Sequence, residues 1–139
     1  MTVLILFPNG FPIGGASANR VFHLAKAIQT GRSGFDSIIL CTRSTENSIN
    51  ILNTALKGNY NGIKFLYVNK SVIWPKSYLA KFFNLIKGLL NTFQYFFNER
   101  EKIQVVISYA NYSFFQNLFF LIYCRFFGFK FLYSVDEYP

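Results

Sequence analysis

Residues 2–7, Thr-Val-Leu-Ile-Leu-Phe, form an unbroken β-prone apolar run that halts at Pro8, Asn9 and Gly10. A strand apolar on both sides needs cover from above and below, which one-sided antiparallel sheets do not give. The rest of the chain offers that cover. Val21, Leu24, Ala25 and Ile28 recur at helical spacing, with Ala16 or Ser17 near the start and Gly31 past the end. Residues 37–41 read as a second strand, 63–68 as a third, 103–108 as a buried fourth and 129–134 as a fifth. Between them, residues 48–62 read as a weak helix, 76–98 as a long amphipathic helix and 112–127 as a very apolar helix closed by Gly128. Strands alternating with helices predict an α/β domain on a Rossmann-like, doubly wound parallel sheet with right-handed crossovers.

At 139 residues the chain holds one ordinary domain. A 52% hydrophobic, 14% charged composition excludes a disordered chain. The last residues follow directly on a strand, at the edge where such sheets place ligand loops, so a domain incomplete at its C-terminal end is expected.

Fourteen Lys and Arg against six Asp and Glu leave a net charge of +8, which favours phosphates, anionic lipid or nucleic acid as partners. No RNP, helix-turn-helix or finger pattern supports nucleic acid, so none is expected. Cys41 and Cys124 lack CxxC spacing and read as buried apolar residues of a reduced, cytoplasmic compartment. His23, the single histidine, reads as structural on the first helix, and no metal is expected. Residues 3–7 are too few, and lack a preceding basic residue, for a secretory leader. Residues 112–133 are interrupted by Gln116, Asn117, Arg125 and Lys130, which argues against a membrane span.

The loop after the first strand carries the chemistry. In an open parallel sheet, ligands bind outside the carboxyl ends of the strands. Here Gly14 and Gly15 remove Cβ atoms immediately before a helix whose free N–H groups and dipole favour an anion, with Ala16 and Ser17 in its first turn. A diphosphate matches those properties. Neither GxGxxG nor GxxxxGK[ST] is present, and a plain structural turn is the competing reading. Arg20, one turn further on, reads either as a phosphate or acceptor contact or as a solvated arginine. Asp136 and Glu137 follow the last strand at its ligand-facing end and read either as carboxylates for ligand hydroxyls or as an exposed chain end.

The stretch from Val3 to Pro8, then Pro12-Ile13-Gly14-Gly15-Ala16-Ser17-Ala18-Asn19-Arg20 and the following Leu24-Ala25-Lys26-Ala27-Ile28, resembles the opening of glycosyltransferase family 4. Val105-Val106-Ile107 and residues 128–133, leading to Glu137 and Pro139, look like the fourth and fifth strands of the same family. The resemblance implies the N-terminal half of a two-domain GT-B fold, with the C-terminal domain missing. It implies transfer of a sugar from a nucleotide-diphosphate donor, a co-substrate rather than a cofactor, to a glycan or lipid-linked acceptor with retention of configuration and typically without a metal. The Gly14-Gly15 backbone then faces the donor phosphates, and the catalytic residues are unassigned. Many members carry a histidine after the fourth strand; here the loop reads Ser108-Tyr109-Ala110-Asn111-Tyr112, so Tyr109 or Asn111 is expected to make polar contacts there, or the acceptor geometry differs. The isolated chain, holding one wall of the cleft, is expected not to turn over.

In residues 76–98, Leu79, Phe82, Phe83, Ile86, Leu89, Leu90, Phe93 and Phe97 share one helical face, opposite Lys76, Lys81, Asn84, Lys87, Asn91 and Gln94. Such a helix either packs its apolar face on the sheet or lays it on an anionic membrane, on the inner face of the cell membrane for a cytoplasmic protein. Trp74 is an interfacial anchor or a packing residue. A stand-alone anion- or membrane-binding α/β module is the alternative to a glycosyltransferase half.

Overall fold

The computed structural model describes residues 1–31, 34–109 and 112–134. Along the chain run β1 (Thr2–Phe7), α1 (Gly15–Thr30), β2 (Asp36–Cys41), β3 (Lys57–Tyr60), β4 (Ile63–Tyr67), α2 (Tyr78–Glu99), β5 (Ile103–Ser108), α3 (Phe114–Phe127) and β6 (Lys130–Tyr133). The strands form one six-stranded sheet in the order β3-β4-β2-β1-β5-β6. All neighbours are parallel except β3, which lies antiparallel against β4. The fold is therefore α/β, with a mostly parallel sheet and three helices.

Both sides of β1 are indeed buried along its whole length. Ile5 and Phe7 point into the cluster under α1, with Val21, Ala25, Ile39 and Cys41. Leu4 and Leu6 point the other way, into the cluster under α2 and α3, with Phe96, Val106, Phe120 and Cys124. Alternation along a strand thus divides one apolar run between two cores. Both cysteines are buried, and desolvation raises both thiols, Cys124 to about 12.

Two expectations need correction. Residues 48–62 hold no helix: they are loop and then β3, joined to β4 by a two-residue hairpin in which Asn61 and Gly62 both have positive φ, 49° and 89°. Asn-Gly tolerates that mirror-image turn, whose twist matches the paired strands, and the Asn59 side chain accepts from the Gly62 amide at 2.8 Å. His23 lies on α1 as expected, exposed, with its ring edge-on to Phe22. The very apolar helix begins at Phe114 rather than Tyr112, because Ser113 caps it in a reciprocal box with Gln116. Tyr112 is buried instead, its ring edge-on to Phe120.

The two readings of residues 76–98 are separated by which side faces the sheet. Gly88, Thr92 and Phe96 are the fully buried positions of α2. A Cβ on Gly88 would stand 2.5 Å from the Thr42 carbonyl oxygen, so glycine lets the helix axis come down onto the end of β2. The inward flank also carries asparagines: Asn91 donates to the Val68 carbonyl at 2.9 Å, and Asn69 donates to the Asn84 carbonyl at 3.1 Å. The Val68 carbonyl, just past the end of β4 and covered by the helix, needs a polar partner, and the Asn91 amide supplies it. Leu79, Phe82, Phe83, Leu90 and Phe97 consequently face outward. Among the described residues, no helix is long and apolar enough to cross a membrane.

Candidate functional site at the carboxyl edge

The loops that follow β1, β2, β4 and β5 gather at the carboxyl edge of the sheet. Parallel pairing places the ends level: Phe7 lies opposite Cys41, and Leu6 opposite Ser108. The β1 loop is anchored by Phe11, whose ring is completely buried against Phe65 and Tyr60. The Tyr67 hydroxyl spans the Phe11 backbone, accepting from its N–H and donating to its carbonyl at 3.0 Å each. Two residues later, Asn53 accepts from the Ile13 N–H at 2.8 Å and donates to the Ile13 carbonyl at 2.6 Å. Asn53 is itself oriented by Glu46 at 2.6 Å. A phenol, an amide and a carboxylate thus fix a loop that, from its composition, looks free.

Within this frame the two glycines do different things. A Cβ on Gly14 would lie 2.1 Å from the Gly10 carbonyl oxygen, so the close approach made at this position is of the loop to itself. Gly15 has φ +66°, a left-handed conformation strained for other residues, and the space beyond it is open. Together they turn the chain sharply into α1. Gly14, Gly15 and Ala16 are exposed, Ser17 partly so, and no described side chain caps the first turn. Ser17 instead donates to the Gly14 carbonyl at 3.3 Å and accepts from Asn9 at 3.4 Å. The first-turn N–H groups of a helix lack intrahelical partners, so this end presents donors and a positive dipole end at the sheet's edge.

Other residues singled out from the sequence fall as follows. Arg20 is on the exposed side of α1. Tyr109 is buried, its ring 5.5 Å from Phe7 in the core under α1. Asn111, Asp136 and Glu137 lie outside the described residues.

Arg43 was missed. It leaves the end of β2 half-buried, donates from its guanidinium to the Gln116 side chain at the start of α3, and lies 5.8 Å over the Tyr112 ring. Its Nε is buried with no hydrogen-bond partner among the described residues, and burial lowers its pKa. The neighbouring Thr42 hydroxyl is hydrogen-bonded to Tyr112, so the β2 loop and the start of α3 are stitched together. Arg43, Asn9 and Trp74 line a cleft of about 230 Å³. On the far side of Trp74 and Thr45 a second cleft of about 400 Å³ carries Lys76 and Lys81. The one carboxylate there among the described residues, Glu46, is engaged by the Leu52 N–H at 2.6 Å and by Asn53. The available signal in the sequence is position: Arg43 is the first basic residue after the second strand, where doubly wound sheets place ligand contacts.

The edge therefore combines an uncapped helix start, a guanidinium, two lysines and an indole, which together suit a phosphorylated ligand bearing a flat or sugar-like face. Comparison of the chain with known protein families, curated proteins and solved structures gives no match, so its chemistry is read from its own residues.

Proposed function

We propose that the chain is the N-terminal, Rossmann-like half of a nucleotide-sugar-dependent glycosyltransferase of the GT-B type, its carboxyl edge forming one wall of the cleft between two domains. The single observation that carries this reading is the exposed, uncapped start of α1, delivered to the edge by Gly14 and Gly15. Two others support it. The five parallel strands follow the order third, second, first, fourth, fifth, with the change of direction between β1 and β5, the crevice where doubly wound sheets take ligands. Arg43 adds a cation beside that crevice.

In this mechanism the N–H groups of residues 15–17 hold the donor diphosphate and stabilise the charge that develops on it as the sugar departs. Arg43, held by Gln116 and Tyr112, contributes a preoriented positive charge without reorganisation during the step. Trp74 offers an indole face to the acceptor saccharide, and a second domain supplies the nucleotide and sugar contacts. The acceptor is a glycan or a lipid-linked sugar.

Titration of the isotopically labelled chain with uridine and guanosine diphosphates tests the reading. The amide resonances of Gly15, Ala16 and Ser17 are expected to shift in a saturable way, and both Gly15→Val and Arg43→Gln are expected to weaken the response. Unmoved first-turn amides at millimolar nucleotide sink the proposal. Steady sugar transfer by these 139 residues alone would contradict the assignment of a single wall.

A further inference from the structure

The outer surfaces of α2 and α3 are more apolar than a water-facing layer needs to be. Phe83 is 64% exposed, Leu90 62%, Phe115 71% and Phe126 72%. The two helices lie side by side, and contacts between rings join their outer faces: Phe93 meets Phe126 at 6.0 Å, and Phe97 meets Phe127 at 6.4 Å. At 1.5 Å per residue, the 22 residues of α2 make this strip about 33 Å long. A contiguous exposed apolar surface of that extent marks an interaction site.

Charge identifies the occupant. No Asp or Glu occurs between Glu46 and Glu99, or between Glu101 and Asp136, so neither helix places an acid in the strip. Its charged neighbours are three cations and one acid: Lys87 exposed on the outer flank of α2, Arg125 on α3, Arg100, whose guanidinium lies 4.8 Å over the Phe97 ring, and Glu101, which shares a cleft with Phe97 and Arg100 at the end of the strip. The acid nearest the end of α2, Glu99, is paired with Lys102 at 2.8 Å. A second copy of the chain laid face to face on this strip would bring three cations of each copy against a surface that offers Glu101 alone at one end. An anionic interface neutralises them, accepts the aromatic side chains at headgroup depth and asks for no spanning helix.

We propose that the joined outer faces of α2 and α3 dock flat on an anionic lipid bilayer. Helices that return from parallel strands begin at the carboxyl edge, so Tyr78, 89% exposed at the start of α2, and Phe114 and Phe115 at the start of α3 lie at the same end as the candidate site. Docking therefore brings that edge down to the membrane. Where this bears on the acceptor, making it lipid-linked, it rests on the glycosyl-transfer reading; the docking itself does not.

Flotation of the full chain with vesicles of phosphatidylcholine alone, or with phosphatidylglycerol added, tests the surface. Binding is expected to the anionic vesicles and to weaken as salt rises. The pair Phe83→Ser and Phe126→Ser is expected to lower vesicle affinity about tenfold or more. Lys87→Gln, at an exposed position, is expected to lower it about fivefold. Leu90→Trp is expected to be quenched by brominated acyl chains more strongly than the chain carrying Trp74 alone. Three outcomes overturn the proposal: no flotation of the folded chain, serine variants that float like the parent, or a dimer in sedimentation that the same variants dissociate while no vesicle binding is seen. Nucleotide-induced shifts are read separately, so vesicle binding without them condemns glycosyl transfer and leaves docking standing.

Discussion

α1 and α2 are both amphipathic, yet they orient oppositely. α1 buries Ala18, Val21 and Ala25 and exposes Asn19, Arg20, His23 and Lys26, as an amphipathic helix on a sheet should. α2 buries Gly88, Thr92 and Phe96, aims Asn84 and Asn91 at the protein, and exposes its richest apolar face. The difference lies in what each helix covers. Beneath α1 are apolar side chains of β1, β2 and β4. Beneath the middle of α2 are main-chain carbonyls just past the ends of β2 and β4: that of Thr42 leaves room only for a glycine, and that of Val68 accepts from the Asn91 amide. An apolar stripe shows that a helix has two faces, and the chemistry of the neighbouring surface selects which one turns inward.

The contrast can be broken by substitution. Phe11→Ala, in the completely buried anchor of the α1 side, is expected to cost about 3–5 kcal/mol in urea-induced unfolding. Survival with an unchanged midpoint would mean that the β1 loop is not fastened as described. Gly88→Ala puts a methyl 2.5 Å from the Thr42 carbonyl and is expected to destabilise by about 1–3 kcal/mol, although alanine is the better helix former. A stabilised variant would show that α2 does not sit on β2. Asn91→Ala leaves the Val68 carbonyl without this donor and is expected to cost about 1–3 kcal/mol. Leu90→Ser, one residue away but outward, is expected to stay within about 0.5 kcal/mol of the parent. Equal losses for this pair would erase the inside-out assignment of α2.

The smallest effect is a pH dependence. A hydrogen bond from Lys64, at 2.9 Å, holds the Asp36 carboxyl below its ordinary value, and the pair is solvent-accessible. A depressed carboxylate stabilises the fold above its unfolded pKa, and the contribution fades as pH falls through the folded value. Asp36→Asn is therefore expected to lower stability slightly at neutral pH and to make no difference in strong acid, as thermal unfolding across pH can show.

Strand identity and order of appearance were legible because continuous apolar runs bounded by Gly, Pro and Asn are local signals. β1 was bounded correctly, and β2, β4, β5 and β6 lie within one or two residues of expectation. The β3–β4 hairpin was equally local, since Asn61-Gly62 is a turn pair, but it was obscured by reading residues 48–62 as one helical segment. Around the candidate site, the glycine pair and the start of α1 could be placed from sequence. Asn53, Tyr67 and Arg43 could not, because their partners lie 40, 56 and 73 residues away.

The residue string was sufficient for an α/β sheet covered on both faces, since a strand apolar on each side admits no other cover, and for a glycine-led helix start after β1. Which contact Gly14 relieves, how Arg43 is held beside the crevice and which face of α2 meets solvent depend on atoms brought together from distant positions. Those contacts follow from packing geometry and from satisfying buried backbone groups, quantities that periodicity along one chain does not contain.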